Sequence, residues 1–229
     1  MNSIPILYEN NEIFIINKPS GVSVQGGEKI SHPLDEELAK QTGGKVYLVH
    51  RLDRDTSGLL VVARSSAAAA KWAGLLAGGK VRKEYKALCI GRPPASRGTI
   101  TASILEKGVG KTAVTYYDLQ SSVRVPVGEK NAFVILSLLH LTLGTGRMHQ
   151  IRIHLAQAGC PIAGDDRHGD FRLNRVLRRC AGIRQLMLTA FRLTLPIDTS
   201  VRTFEIPLPD HMDRVVKKIW DSGGGVSVQ

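Results

Sequence analysis

Cysteine is scarce in this chain. There are three, Cys89, Cys160 and Cys180, an odd number without Cys-x-x-Cys spacing, which argues against a disulfide framework and a structural zinc site. Reduced thiols are expected. Aromatic residues are also few, 5% of the total, too few for a protein that holds single strands mainly by stacking bases on rings. Acidic residues fall short of basic ones, 20 against 31, leaving a formal charge of +11. That surplus favours a polyanionic partner, nucleic acid first and an anionic membrane surface second. Long apolar runs are missing as well. The opening "MNSIPILYENNEIFIINKPSG" has no cationic lead, and Asn, Glu and Pro break its apolar run, so neither a signal peptide nor a membrane span is expected. The expected location is the cytoplasm.

What is present reads as an ordinary globular chain of 229 residues, 43% apolar and 22% charged. We expect a single domain over 1–229, with room for two lobes. "EIFIINKP" reads as a strand stopped by Pro19 and a turn at Gly21, and "PLDEELAKQTGG" as a short helix ended by Gly43. "KVYLVHRL" and "GLLVVAR" read as strands, and "SSAAAAKWAGLLAGG" as a helix capped by Ser65 or Ser66 with Gly78 beyond its end. Further strands are "EYKALCIG", "TAVTYYDLQSSV", "AFVILSLLHLTL", "QLMLTAFRLTLP" and "RTFEIPL". A last helix covers "HMDRVVKKIW" before a Gly-rich tail. Strands outnumber helices and are not regularly interleaved with them, which indicates an α+β fold with a mixed, largely antiparallel sheet and flanking helices.

"GTGRMHQIRIHLAQAGCP" alternates like a strand over "QIRIHL", but Gly159 and Pro161 are helix stop signals. A helix from about Arg147 to Ala158 is expected, with Thr145 and Gly146 leaving free backbone N–H groups for a phosphate at its start. Three basic stretches, "KVRKEYK", "GRMHQIRIH" and "DDRHGDFRLNRVLRRCAGIR", could each be a solvated face. Together they point to nucleic acid.

The stretch "LVHRLDRDTSGLLVVAR" places many charges between two apolar runs. Asp53 and Asp55 resemble a phosphatase nucleophile loop, but the threonine stands at 56, where that pattern wants it at 57. His50, His149, His154 and His168 lack dependable metal-ligand spacing, and no metal is expected. A salt-bridged turn, with Thr56 and Ser57 capping and Gly58 turning, accounts for the residues without any chemistry.

"HRLDRDTSGLLVVA" also resembles the HRLDxxTSGxxxxA motif of the RluA family of RNA pseudouridine synthases, through His50, Arg51, Leu52, Asp53, Thr56, Ser57, Gly58 and Ala63. In the same order, "IINKPSGVSV" is similar to the family's N-terminal strand and KPxG turn, "KEYKA" to KxYxA, and "TGRMHQIRIHLAQAGCPIAGD" to TGRTHQIRxH. The resemblance spans about residues 8–196. Met148 departs from the usual Thr or Ser, and His168 from an aromatic; both are expected on the RNA surface. The resemblance implies a pseudouridine synthase catalytic fold with a central RNA-binding cleft and no separate S4-like domain before it. It implies isomerisation of uridine in tRNA or ribosomal RNA, without a cofactor, by a protein expected to be a monomer with no protein partner.

On that resemblance Asp53 acts at the ribose, as nucleophile at C1′ or base at C2′, and Arg152 pairs with it. Tyr85 stacks on the flipped uracil, and Arg51 fills the place it leaves. His50, Thr56, Lys83, Arg147 and Gln150 complete the expected RNA-binding set, with Thr56 also fixing the turn. Two other classes stay open: a non-catalytic RNA-binding protein that keeps the fold, and a nucleosidase that releases uracil.

Overall fold

The structure, a computed structural model, describes residues 3–26, 31–106, 108–128 and 132–223. In chain order come strands β1 (Ile6–Glu9) and β2 (Ile13–Lys18), helix α1 (Leu34–Thr42), strands β3 (Tyr47–Leu48) and β4 (Ser57–Ala63), and helix α2 (Ser66–Ala77). Strands β5 (Arg82–Ile90), β6 (Arg97–Glu106), β7 (Val109–Pro126) and β8 (Phe133–Leu143) follow, then helices α3 (Gln150–Gln157) and α4 (Phe171–Cys180). Strands β9 (Leu188–Ile197) and β10 (Ser200–Glu205) and helix α5 (Asp210–Gly223) end the described chain. The expected α+β class holds, with mainly antiparallel strands and flanking helices. The expected Gly-rich tail lies largely outside the described residues. Among those residues, no helix is long and apolar enough to cross a membrane.

The chain divides into two compact units. The first comprises residues 1–83 and 190–207. Its strands run β1-β2-β4-β9, with β3 on β4 and β10 on β9. All seven residues of β4 are buried, which is what a continuous apolar run covered on both faces looks like. Ile13 and Ile15 of β2, Leu59 and Val61 of β4 and Leu193 and Leu195 of β9 form the core with Trp72 of α2. Ser65 caps α2 as expected, its Oγ accepting from Ala68 N at 3.1 Å. Trp72 is fully buried, and its Nε1 donates to Glu12 at 3.0 Å, so its one polar atom is satisfied.

The second unit comprises residues 84–189 and 208–229, with strand order β5-β8-β7-β6. These strands pair antiparallel throughout, and the 18-residue β7 pairs with β6 over residues 109–118 and with β8 over residues 115–126. Three elements have no counterpart in the sequence reading: β1, which belongs to the first unit, and β6 and α4. β6 alternates between exposed and half-buried positions with small polar residues, which hides its apolar signal, and α4 is masked by its arginines. Cys89 and Cys160 are buried and Cys180 is half-buried, all as free thiols, in keeping with the expectation.

Candidate active site

β3 covers only Tyr47 and Leu48, far shorter than "KVYLVHRL" suggests. The chain leaves the sheet there and returns at Ser57, so residues 49–56 form a loop held at both ends by β4's pairings. Leu52, 3% exposed, pins the loop's middle to the interior. Thr56 N donates to Asp53 O at 3.1 Å and closes the turn. Gly58 has φ 116°, and a Cβ there would collide with the backbone carbonyl of Ala190. Only glycine fits.

The turn after β2 clamps this loop. Lys18 stands opposite Gly58 in the β2/β4 register and is fully buried. Its Nζ donates to Val22 O at 2.7 Å, Arg54 O at 2.8 Å and Pro19 O at 2.9 Å. Gly21 N donates to the same Arg54 carbonyl at 2.9 Å, and Ser20 Oγ donates to Asp55 O at 2.8 Å. Burial pushes the Lys18 ammonium down to about 7, against the opposing pull of Asp55 and Asp53. Sequence reading missed Lys18, since a lysine closing an apolar strand reads as a solvated end. The available signal was its place directly before Pro19 in the KPxG turn.

Asp53 is half-buried, whereas Arg51 and Arg54 on either side are exposed. Arg54 Nε holds Asp55 at 3.2 Å. A cavity of about 420 Å³ opens beside the loop, lined among others by Val24, Leu48, His50, Arg51 and Arg54. His50, one of the expected RNA-binding set, is engaged by the sheet itself. Its Nε2 accepts from Val61 N at 3.0 Å, and burial, with the Lys83 charge, pushes its pKa down to about 3. It is a neutral brace between the loop and β4. Thr56 is buried, 2% exposed, at the inner side of the turn that its backbone N–H closes. Lys83 belongs to this unit too, with burial lowering its pKa.

Tyr85, Arg147, Gln150 and Arg152 belong to the second unit. Tyr85 lies on β5 opposite Leu141 and is buried. Helix α3 begins at Gln150, three residues later than expected, because His149 takes a left-handed conformation with φ 54°. The expected phosphate site at its start is overturned. Gln150 folds back so that its Oε1 accepts from Arg147 N at 3.0 Å and Thr145 Oγ1 at 2.7 Å, and Met148 N donates to Glu106 at 3.2 Å. Gln150 Nε2 donates to Val114 O at 2.8 Å and Thr115 Oγ1 at 3.0 Å. With its amide engaged on both atoms and 2% exposed, Gln150 shapes the 144–149 loop from within. Arg147 is half-buried and Met148 is exposed, as expected of a surface residue. His168 is half-buried, its Nε2 2.9 Å from His149 Nδ1, so the departure at 168 meets the departure's own neighbour in the motif.

Arg152, 3% exposed, grips Asp165 with two parallel bonds, Nε to Oδ2 at 2.8 Å and Nη2 to Oδ1 at 2.6 Å. Burial raises the Asp165 carboxyl, but Arg152 and the backbone N–H groups of His168 and Arg167 outweigh it and hold the group below its usual range. Asp165 is the second residue that sequence reading missed. Its effect is to fix the plane of the Arg152 guanidinium. Among the described residues, no three His, Cys, Asp or Glu side chains cluster as a metal-ligand set.

A family model described as RNA pseudouridylate synthase matches residues 12–157. The chain is 36% identical over 223 residues to a protein of Escherichia coli O157:H7 named ribosomal large subunit pseudouridine synthase C, covering 93% of this chain and 69% of that one. It is 37% identical over 180 residues to a protein of the same name from Rickettsia felis, covering 72% of this chain and 56% of that one. Among solved structures it resembles human RNA pseudouridylate synthase domain containing 4, with a TM-score of 0.75, 25% identity and coverage of 94% and 92% of the two chains. A second human structure, RNA pseudouridylate synthase domain containing 1, gives 0.71 at 25% identity, covering 95% and 94%.

Proposed function

The chain belongs to the RluA family of RNA pseudouridine synthases, and from that premise we propose that it isomerises uridine to pseudouridine in ribosomal RNA of the large subunit, with Asp53 acting at the ribose. The family isomerises uridine in RNA. The choice of RNA rests on the two bacterial relatives, both named for the ribosomal large subunit. The reaction breaks the C1′–N1 bond, turns the uracil while it stays bound, and joins C1′ to C5, moving the C5 proton to solvent and a proton to N1. Nothing is oxidised or reduced, and we assign no metal or cofactor.

The observation that carries the assignment of Asp53 is the clamp of Lys18, Ser20 and Gly21 on the carbonyls of Arg54 and Asp55. A loop whose only task was to join β3 to β4 would not need a buried lysine to fix it. A carboxylate held in one position can attack C1′ or take the C2′ proton with its geometry set in advance. Arg51, exposed beside it at the cavity rim, is our choice for the side chain that fills the vacated stack. On the resemblance to the family, we assign Arg152, oriented by Asp165, a cationic role in the reaction, and Tyr85 the ring on the flipped base. We read residues 1–229 as one catalytic domain working as a monomer in the cytoplasm.

Pseudouridine mapping in total RNA from cells with and without the gene tests this reading, together with the purified chain acting on large-subunit RNA and on tRNA. Loss of one or more large-subunit pseudouridines, restored by the purified chain, is expected. A site lost only in tRNA would overturn the choice of RNA, and release of free uracil would overturn the isomerase reading.

A further inference from the structure

Several exposed cations elsewhere among the described residues have carboxylate partners: Lys71 with Glu12, Arg97 with Asp118, Lys111 with Glu106, Arg192 with Glu205 and Lys217 with Asp213. Helix α4 is different. Its sequence, FRLNRVLRRC, has Arg172, Arg175, Arg178 and Arg179, all exposed, and no acid after the Asp170 cap. Among the described residues none of these four has a carboxylate partner. At 100° per residue they fall within about a third of the helix circumference, opposite Leu177, which is fully buried. Like charges three and four residues apart repel, and Arg172 in the first turn also opposes the helix dipole. The bare helix is therefore held against its own electrostatics.

The mounting that holds it is rigid. Asp170 Oδ1 accepts from Leu173 N at 2.8 Å. Asn174 accepts from Gly164 N at 2.9 Å and donates to Asp165 O at 2.9 Å, which ties the helix to the residue that orients Arg152. A Cβ at Gly169 would strike the Asp165 carbonyl, so the approach between this loop and the helix depends on that glycine.

We propose that the arginine face of α4 is a dedicated contact for the phosphate backbone of RNA, separate from the loop that carries Asp53. The proposal rests on the RNA-modifying function above and deepens it. Guanidinium forks match phosphate oxygens, and four of them on one rigid face bind a polyanion without first being ordered. The narrow major groove of A-form RNA keeps arginine from base edges, so the contact is to phosphates and is indifferent to sequence.

The test is Arg172→Gln/Arg175→Gln/Arg178→Gln/Arg179→Gln, with Arg175→Gln/Arg179→Gln as a milder second variant, each checked for folding by circular dichroism. The probe is a G·C RNA duplex without uridine, which reads binding without chemistry. For the fourfold variant we expect at least a tenfold weaker Kd at low salt. We also expect the slope of log affinity against log salt to be shallower by about two to four, one per lost phosphate contact. The double variant should show about half the change in slope. Unchanged affinity and slope would overturn the proposal, as would an equal loss on vesicles of phosphatidylglycerol with none on RNA. A chain that loses duplex binding but makes no pseudouridine in any RNA sinks the proposed function and leaves this contact standing.

Discussion

Two charged regions of this protein are built in opposite ways. In the loop of residues 49–56, the backbone carbonyls of Arg54 and Asp55 are taken by Lys18, Ser20 and Gly21, and His50 is spent on Val61 N. In α4, four arginines face solvent with no acid among them. The first arrangement fixes a side chain in place, and the second leaves charge available. Charges bound by their own chain serve geometry, and charges left open serve a partner; the two can therefore be separated by mutation.

The largest effect is expected from breaking the clamp. Lys18→Met keeps the apolar stem but removes the donor to the Pro19 and Val22 carbonyls and leaves the Arg54 carbonyl with Gly21 N alone, against which relief of a buried charge offsets only part. We expect stability to fall by about 2–4 kcal/mol and turnover by at least about a hundredfold, with RNA affinity nearly unchanged. Urea denaturation and pseudouridine formation on one preparation check this, and equal loss of affinity would erase the contrast between the regions.

The His50 brace gives a pH signature. Its folded pKa of about 3 lies below the ordinary 6.5, so between those values the unfolded chain binds a proton that the folded one does not. Stability therefore falls as pH drops from about 6.5 toward 3 and levels off below that. His50→Gln, which can still accept from Val61 N, should flatten this part of the curve. The measurement is the difference in urea midpoint between the two proteins at neutral pH and at pH values inside that window.

Arg51→Ala should slow turnover roughly tenfold on structured RNA and little on a short flexible strand, because unstacking costs a few kcal/mol only where there is a stack. Equal slowing on both would make Arg51 an ordinary phosphate contact. The smallest effect belongs to the open region. Arg175→Gln alone should weaken RNA binding by about two- to fivefold at low salt, reduce the salt slope by about one, and leave turnover at saturating RNA unchanged.

The sequence carried the elements whose periodicity was undiluted. β2 was legible from its β-branched pattern, β4 from its continuous apolar run and α2 from the Ser65 cap, and α1 from Gly43, which ends it in a left-handed conformation. β3 was overread because "KVYLVHRL" continues the alternation after the backbone has left the sheet. α3 was started too early because nothing local announces that His149 turns left-handed or that Gln150 folds back onto Arg147 N. α4 was not seen, since its apolar seam of Leu173, Val176 and Leu177 is interrupted by arginines that a linear reading takes for a solvated stretch. For the site, the motif supplied Asp53, Arg51 and Arg152. Lys18 and Asp165 act through backbone carbonyls and through another side chain, and such roles depend on contacts between distant segments.

Asp53→Asn tests the central claim most directly. The amide fills the same space and leaves every basic surface untouched, and Arg152 keeps Asp165 as a bidentate partner, so the stability change should stay within about 1 kcal/mol. Pseudouridine formation and RNA affinity are measured on the same folded protein. The account predicts turnover below about a hundredth of the unmodified rate, with affinity within about threefold. A folded Asp53→Asn protein that makes pseudouridine faster than that would contradict it.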